Sequence, residues 1–149
     1  MVISSPILPD LKGRFPFRLG TTSYIIPDAI LPNVRFLAPW VDEIELVLFE
    51  SGRDDNLPSG EDISALAALA GEHRLTYNVH LPTDVLLGHP DAGIRAAACA
   101  TIMRFYERTR SLPPTAYCLH LEKDRRREMT PDTVGAWLTN LLYSLEHLF

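Results

Sequence analysis

Residues 43–84 decide the fold, and they read EIELVLFESGRDDNLPSGEDISALAALAGEHRLTYNVHLPTD. Two short runs rich in Val, Ile, Leu, Phe and Tyr, Glu43–Ser51 and Leu75–Asp84, have the composition of strands and are bounded by turn residues. Between them, Ser59–Arg74 carries apolar residues at helical spacing and opens with Ser59 as an N-cap, followed three positions later by an acidic residue. The stretch therefore predicts one strand–helix–strand unit.

The same alternation extends in both directions along the chain. Further strands are predicted at Phe17–Ile25 and Thr115–Asp124, and the remaining helices at Pro27–Val41, Asp91–Leu112 and Thr130–Phe149. Strand starts recur about every 30 residues, which is the size of a βα repeat. Strict alternation of this kind predicts one α/β domain over residues 1–149, with parallel strands and right-handed crossovers.

The two faces of the predicted strands differ, and this difference separates two architectures. One face is apolar and suits packing against helices: Ile44, Leu46, Leu48, Tyr77, Val79, Leu81, Tyr117, Leu119 and Leu121. The other carries mostly polar or ligand-type residues: Gly20, Thr22, Tyr24, Glu45, Phe49, Asn78, His80, Cys118, His120 and Glu122. An open doubly wound sheet is apolar on both faces, and no glycine-rich phosphate loop follows the first strand. We therefore expect a (βα)4 half of a TIM barrel, with helices on the outer face and the polar face inside.

Two histidines lie near the ends of adjacent predicted strands on the polar face. They are His80 and His120, and neighbouring strands are ~4.8 Å apart, so both imidazoles can reach one metal ion or one phosphate. A single histidine in a strand is more often a hydrogen-bonded core residue, but the pairing favours a metal site. Glu122 shares the face of His120 and is the candidate third ligand. The pattern predicts a divalent metal, zinc or manganese.

Two carboxylates are candidate catalytic groups. Glu45 lies in the middle of a strand on the inner face, where a buried charge needs a partner. It is interpreted either as a general base or histidine partner, or as one half of an ion pair with Arg18. Glu50 ends the same strand, and it either turns into the site or faces water.

Other polar residues on the inner face are candidates for substrate binding. Thr22, Tyr24 and Asn78 have groups that can hydrogen-bond a substrate, although Thr22 and Tyr24 also suit packing in the barrel core. Cys118 is expected to be a small core residue. No chemistry is expected from the histidines outside the strands, although His89 could reach the site from the loop after the third strand.

Composition narrows the possible partners and location. The net charge is −5, which argues against binding to nucleic acid or an anionic membrane. The basic run Lys123–Arg127 is either a solvated loop or a phosphate clamp. Two cysteines without a C-x-x-C spacing do not suggest a disulfide framework, and no signal peptide or membrane span is visible. A cytoplasmic location is the default expectation.

Several of these motifs resemble a known superfamily. Glu45 in DEIEL, the H-x-P of His80–Pro82 and the strand-four His120 are similar to the xylose isomerase-like TIM barrels, a group that includes endonuclease IV and sugar-phosphate isomerases and epimerases. The strings LGTTSYII, ELVLFE and HLPTD resemble the cobamide-remodelling phosphodiesterases. The resemblance implies a metal-dependent phosphoester hydrolase, with His80 as a ligand and His120 or Glu122 as the strand-four contribution. The alternative is a sugar-phosphate isomerase or epimerase.

The chain is short for that superfamily, because TIM barrels have about 250 residues. The resemblance therefore implies a truncated amino-terminal half that lacks the later metal ligands, so we expect this chain to hold the metal partly or not at all and to be inactive. A third alternative is a non-catalytic half barrel. Its first and fourth strands would be exposed edges, which favours a homo-oligomer. In both enzymatic interpretations the partner is a phosphorylated small molecule, a cobamide or a sugar phosphate.

Overall fold

Strands and helices alternate along the chain in the predicted order. The computed structural model describes residues 8–52, 57–126, 128 and 130–148. The strands are β1 (Gly20–Thr22), β2 (Glu43–Val47), β3 (Thr76–His80) and β4 (Tyr117–Cys118), and the helices are α1 (Ile30–Leu37), α2 (Gly60–His73), α3 (Ala92–Thr109) and α4 (Pro131–Glu146). This confirms the four βα units. No helix within these residues has the length and apolar character needed to cross a bilayer.

The four strands form one parallel sheet in the order β1-β2-β3-β4. Val47 on β2 pairs with His80 on β3, and His80 pairs with Cys118 on β4, so these three residues lie at one level of the sheet. Successive helices pack on one another. The architecture is the predicted half of a TIM barrel, in which the carboxyl ends of all strands meet at one edge.

The apolar face of the sheet holds the core. The predicted core residues of β2 and β3 are all nearly inaccessible to solvent: Ile44, Leu46, Leu48, Tyr77, Val79 and Leu81. They pack in one cluster with residues from the helices, among them Leu66, Ile102, Phe105 and Leu141. The Tyr77 hydroxyl donates to the Leu66 carbonyl at 2.8 Å, so this buried phenol is satisfied, and burial raises its pKa. Leu121 departs from the prediction because it lies beyond β4 and is exposed.

The edge strands and the first helix are shorter than predicted. Among the described residues, β1 and β4 each pair with only one neighbouring strand. Each is therefore a strand only over the residues that are hydrogen-bonded to that neighbour. The last backbone bond between β3 and β4 runs from the Leu81 N–H to the Cys118 carbonyl at 2.9 Å. α1 ends two residues before Pro39, which has no N–H to extend the helix. The predicted helix end at Phe149 lies outside the described residues.

The predicted N-caps of α2 and α4 are present. The Ser59 side chain accepts from the backbone N–H of Asp62, and the Asp62 carboxylate accepts in return from the N–H of Ser59. Thr130 caps α4 in the same way, with Pro131 in the first turn. These caps place the start of each helix directly after the loop at the carboxyl end of its preceding strand.

A buried asparagine fixes the loop between β1 and α1. Asn33 is fully buried on α1, and its Oδ1 accepts from the N–H groups of Ile25 and Ile26 at 2.8 and 2.9 Å. Its Nδ2 donates to the carbonyls of Ile26, Asp28 and Ala29. One side chain thus satisfies backbone groups that the loop would otherwise leave unpaired in the interior.

We expect Asn33→Ala to destabilise the fold. The substitution leaves two loop N–H groups unpaired next to the core, and it should lower the free energy of unfolding by about 3 kcal/mol. Thr139→Ala, on the exposed side of α4, is the matched control and should change it by less than about 0.5 kcal/mol. Urea denaturation followed by circular dichroism measures both. Equal stability of the two variants would contradict the proposed role of Asn33.

Candidate functional site

The two predicted histidines meet at the carboxyl ends of β3 and β4. His80 is the last residue of β3, and His120 lies two residues beyond β4, on the same face as Cys118. Their Nε2 atoms are 3.1 Å apart and their ring centroids 4.7 Å apart. The parallel register therefore brings together two side chains that are distant in sequence, as the strand pattern predicts.

The hydrogen bonds of His80 define which of its ring nitrogens can accept. His80 Nδ1 lies 3.0 Å from the carbonyl oxygen of Leu81. A carbonyl can only accept, so Nδ1 carries the proton and Nε2 presents a lone pair towards His120. A metal-binding histidine commonly has its second ring nitrogen bonded to a backbone carbonyl in this way.

His120 has an acidic neighbour on the opposite side of its ring. The Oε1 atom of Glu122 is 3.9 Å from Nδ1 of His120, which is too long for a hydrogen bond. Glu122 thus lies beside the ring nitrogen that faces away from His80, where it can orient the imidazole. Its role as a third metal ligand stays a prediction, and within residues 8–52, 57–126, 128 and 130–148 no cluster of three His, Cys, Asp or Glu side chains is positioned around one ion.

The separation of the two Nε2 atoms fits a shared ion. Zinc–nitrogen bonds are about 2.0–2.1 Å long, so two nitrogens in neighbouring positions around one ion lie about 3.0–3.4 Å apart. The observed 3.1 Å falls in this range. Two lone pairs facing each other at this distance would repel, and they need either a proton or a metal ion between them.

Aromatic side chains continue the site from His80 towards β1. The Phe49 ring meets His80 edge-on with centroids 5.7 Å apart, and Tyr24 meets Phe49 in the same manner at 6.5 Å. Tyr24 is 68% exposed and Phe49 45% exposed. The strand pattern placed Phe49 on this face but assigned it no role. Its position at the end of a strand on the polar side was the available signal.

A thiol and a carboxylate influence each other on the polar face of the sheet. Glu45 is half-buried on β2. Burial raises the pKa of the Cys118 thiol, and the negative charge of Glu45 raises it further, so the thiol stays protonated. The prediction of Cys118 as a core residue is wrong: it is exposed, because no helix among the described residues covers this face.

Three further residues were predicted to lie at or near the site: Thr22, Glu50 and Arg18. Thr22 is the register partner of Glu45, and Glu50 is exposed three residues beyond the end of β2. No ion pair joins Arg18 to Glu45 in the part of the chain that the structure describes. The charge of Arg18 instead acts on the carboxyls of Asp42 and Glu43 and helps to lower their pKa values.

The amino ends of the strands are held by a carboxylate that the sequence did not single out. Glu43 accepts from Asn78 Nδ2 and from the hydroxyls of Thr76 and Thr115, each at 2.9 Å. This connects β2, β3 and the start of β4. Asn78, a predicted substrate-binding residue, therefore uses its amide N–H for the sheet, while its Oδ1 is buried without a partner among the described residues. Substrate binding by Asn78 stays a prediction.

Comparison with known proteins supports the fold. No family model matches the sequence, and no curated protein matches it. Among solved structures, the chain is similar to one described as a D-tagatose 3-epimerase-like protein, with a TM-score of 0.72 and 19% identity over 89% of this chain. The chain spans 47% of that protein's length. At this identity the likeness shows a common fold, and the coverage agrees with half a barrel.

The Glu43 network predicts a pH-dependent contribution to stability. Burial alone would raise the pKa of Glu43, but the hydrogen bonds from Asn78, Thr115 and Thr76 and the charge of Arg18 outweigh it, so the pKa is lowered from 4.5. The network therefore stabilises the fold above the ordinary glutamate pKa, and this contribution is lost as the pH falls through the lowered value.

We expect Glu43→Gln to reduce the free energy of unfolding by about 1–2 kcal/mol at neutral pH, with the difference from wild type shrinking at acidic pH. Urea titrations at a series of pH values measure it, and Glu72→Gln, on the exposed side of α2, is the control. A difference that is independent of pH would contradict the ionised network.

Proposed function

We propose that this half barrel carries part of the active site of a divalent-metal sugar or sugar-phosphate isomerase or epimerase. His80 and His120 would hold the ion through their Nε2 atoms. The observation that carries this proposal is the 3.1 Å separation of these atoms, together with the bond that fixes the proton of His80 on Nδ1. The bound ion, zinc or manganese, would act as a Lewis acid on a substrate oxygen.

The chain's own carboxylate would move the proton. Glu45 lies on the inner face of β2, two residues before the register partner of His80, and its charge acts on the Cys118 thiol. We assign Glu45 the general base that takes a proton from a carbon next to a carbonyl. Glu50 is a second candidate at the end of the same strand. The rings of Tyr24 and Phe49 would form one wall of the substrate site, and Thr22 would contribute its hydroxyl.

The likeness to a D-tagatose 3-epimerase-like protein supports the sugar class of substrate. Phosphoester hydrolysis, as in cobamide remodelling, is the second candidate, and the cluster of cations after Glu122 favours it. Lys123, Arg125 and Arg126 are exposed in the loop that follows the histidine site. Such charges suit a phosphorylated substrate in either reaction. Arg127, the last residue of the basic run, lies outside the described residues.

Metal binding tests the shared premise of both candidates. We expect zinc to bind the purified protein, as measured by calorimetry, and His80→Ala or His120→Ala to weaken binding at least ~10-fold, because each removes one of two nitrogen ligands. His147→Ala is the matched control, since His147 is an exposed histidine at the end of α4. Equal affinities in all four proteins would contradict a site at the histidine pair.

Activity separates the two candidates. With manganese supplied, a protein in which this half barrel is part of a complete active site should interconvert ketoses such as D-tagatose, or their phosphates, with their epimers or aldoses. Glu45→Gln should lower this rate at least ~100-fold while metal affinity stays within a factor of about two, because a proton-transfer group contributes that much to rate. Release of an α-riboside from a cobamide, without sugar interconversion, would favour the hydrolase. Metal binding without either activity would contradict the assignment of this half site as catalytic.

A further inference from the structure

A cavity of about 410 Å³ lies between the loop after β3, the loop after β4 and the first half of α4. Gly88, His89, Asp124, Asp132, Trp137 and Asn140 are among its lining residues. The histidine pair and Glu122 do not line it. The volume lies within the range that small-molecule sites in proteins occupy.

His89 gives this cavity a buried donor. Its side chain is only 6% exposed, and its Nδ1 accepts from the backbone N–H of Asp91 at 3.0 Å. The proton of the neutral ring is therefore on Nε2. Nε2 lies 3.8 Å from the Asp124 carboxylate, which is beyond hydrogen-bond length. A hydroxyl group beside this pair, about 2.8 Å from each atom, could accept from Nε2 and donate to the carboxylate.

Trp137 supplies an apolar wall. A Cβ at position 88 would lie 2.3 Å from the indole Nε1, so only glycine allows the loop after β3 to lie against this ring. Gly88 covers the indole N–H of Trp137, so this group cannot donate to a ligand in the cavity. The tryptophan therefore contributes apolar ring surface to the cavity wall. A flat apolar wall beside a few polar groups is typical of sites for small ligands.

The charges around the cavity limit the class of ligand. Among the described lining residues, the three carboxylates Asp124, Glu128 and Asp132 outnumber the cation Lys123, and this excess of negative charge disfavours an anion. The buried N–H of His89 is a donor and disfavours a bare cation. A neutral molecule with several hydroxyl groups satisfies both kinds of group, since each hydroxyl donates and accepts.

We propose that this cavity binds a neutral polyol of monosaccharide size, with one hydroxyl bridging His89 and Asp124 and the carbon skeleton against Trp137. The proposal is independent of the metal site, because none of its residues is assigned to that site. The ligand is either a free sugar or a cyclic polyol, and the experiment distinguishes the two.

Calorimetric titration of the purified protein with D-glucose, myo-inositol and inorganic phosphate tests the proposal. We expect one of the first two to bind with a millimolar Kd, and phosphate not to compete with it for this cavity. His89→Leu keeps the approximate volume and removes the donor, so it should weaken binding at least ~10-fold, the effect of losing one buried hydrogen bond. His147→Leu is the control and should bind as wild type does.

A second measurement covers the case in which His89→Leu does not fold. In wild type, addition of the bound sugar should shift the NMR signals of the His89 ring and leave those of His147 in place. A site with a millimolar Kd would be nearly saturated at about 100 mM ligand. Absence of binding by both polyols up to that concentration therefore overturns the proposal. So does binding that leaves the His89 signals unchanged, or preferential binding of phosphate.

Discussion

The parallel register of β2, β3 and β4 is the constraint on which the site depends. It puts Val47, His80 and Cys118 at one level of the sheet. His120, two residues after Cys118 and on the same face, then contacts His80. Backbone hydrogen bonds therefore set the spacing of the two imidazoles, and a shift of one residue in either strand would turn one histidine to the core face.

In the part of the chain that the structure describes, helices cover only the apolar face of the sheet, and the residues of the polar face are stabilised in other ways. Glu43 at the amino end has three side-chain donors, whereas the charge of Glu45 acts on the Cys118 thiol. His120 and Phe49 at the carboxyl ends remain open to solvent. The polar side chains at the amino ends of the strands thus form hydrogen bonds with one another, whereas the side chains at the carboxyl ends remain accessible. The carboxyl ends are where a TIM barrel has its active site.

The sequence predicted the alternation of elements, the two faces of the sheet and the pairing of His80 with His120, because these follow from periods of 2 and 3.6 residues and from parallel topology. Strand ends were predicted less well, since pairing depends on the neighbouring strand. Asn33 and Glu43 were not identified because their partners are backbone groups and side chains from distant segments. The exposure of Cys118 and the position of Glu122 beside Nδ1 of His120 likewise depend on three-dimensional packing that periodicity does not encode.

The most direct test of this account is a crystal structure of the zinc-loaded protein with data collected at the zinc absorption edge. We expect an anomalous peak between the two imidazoles, about 2.1 Å from Nε2 of both His80 and His120, with Nδ1 of His80 still bonded to the Leu81 carbonyl. A peak at other residues, or none with Nε2 of His120 donating to Nε2 of His80, would contradict it.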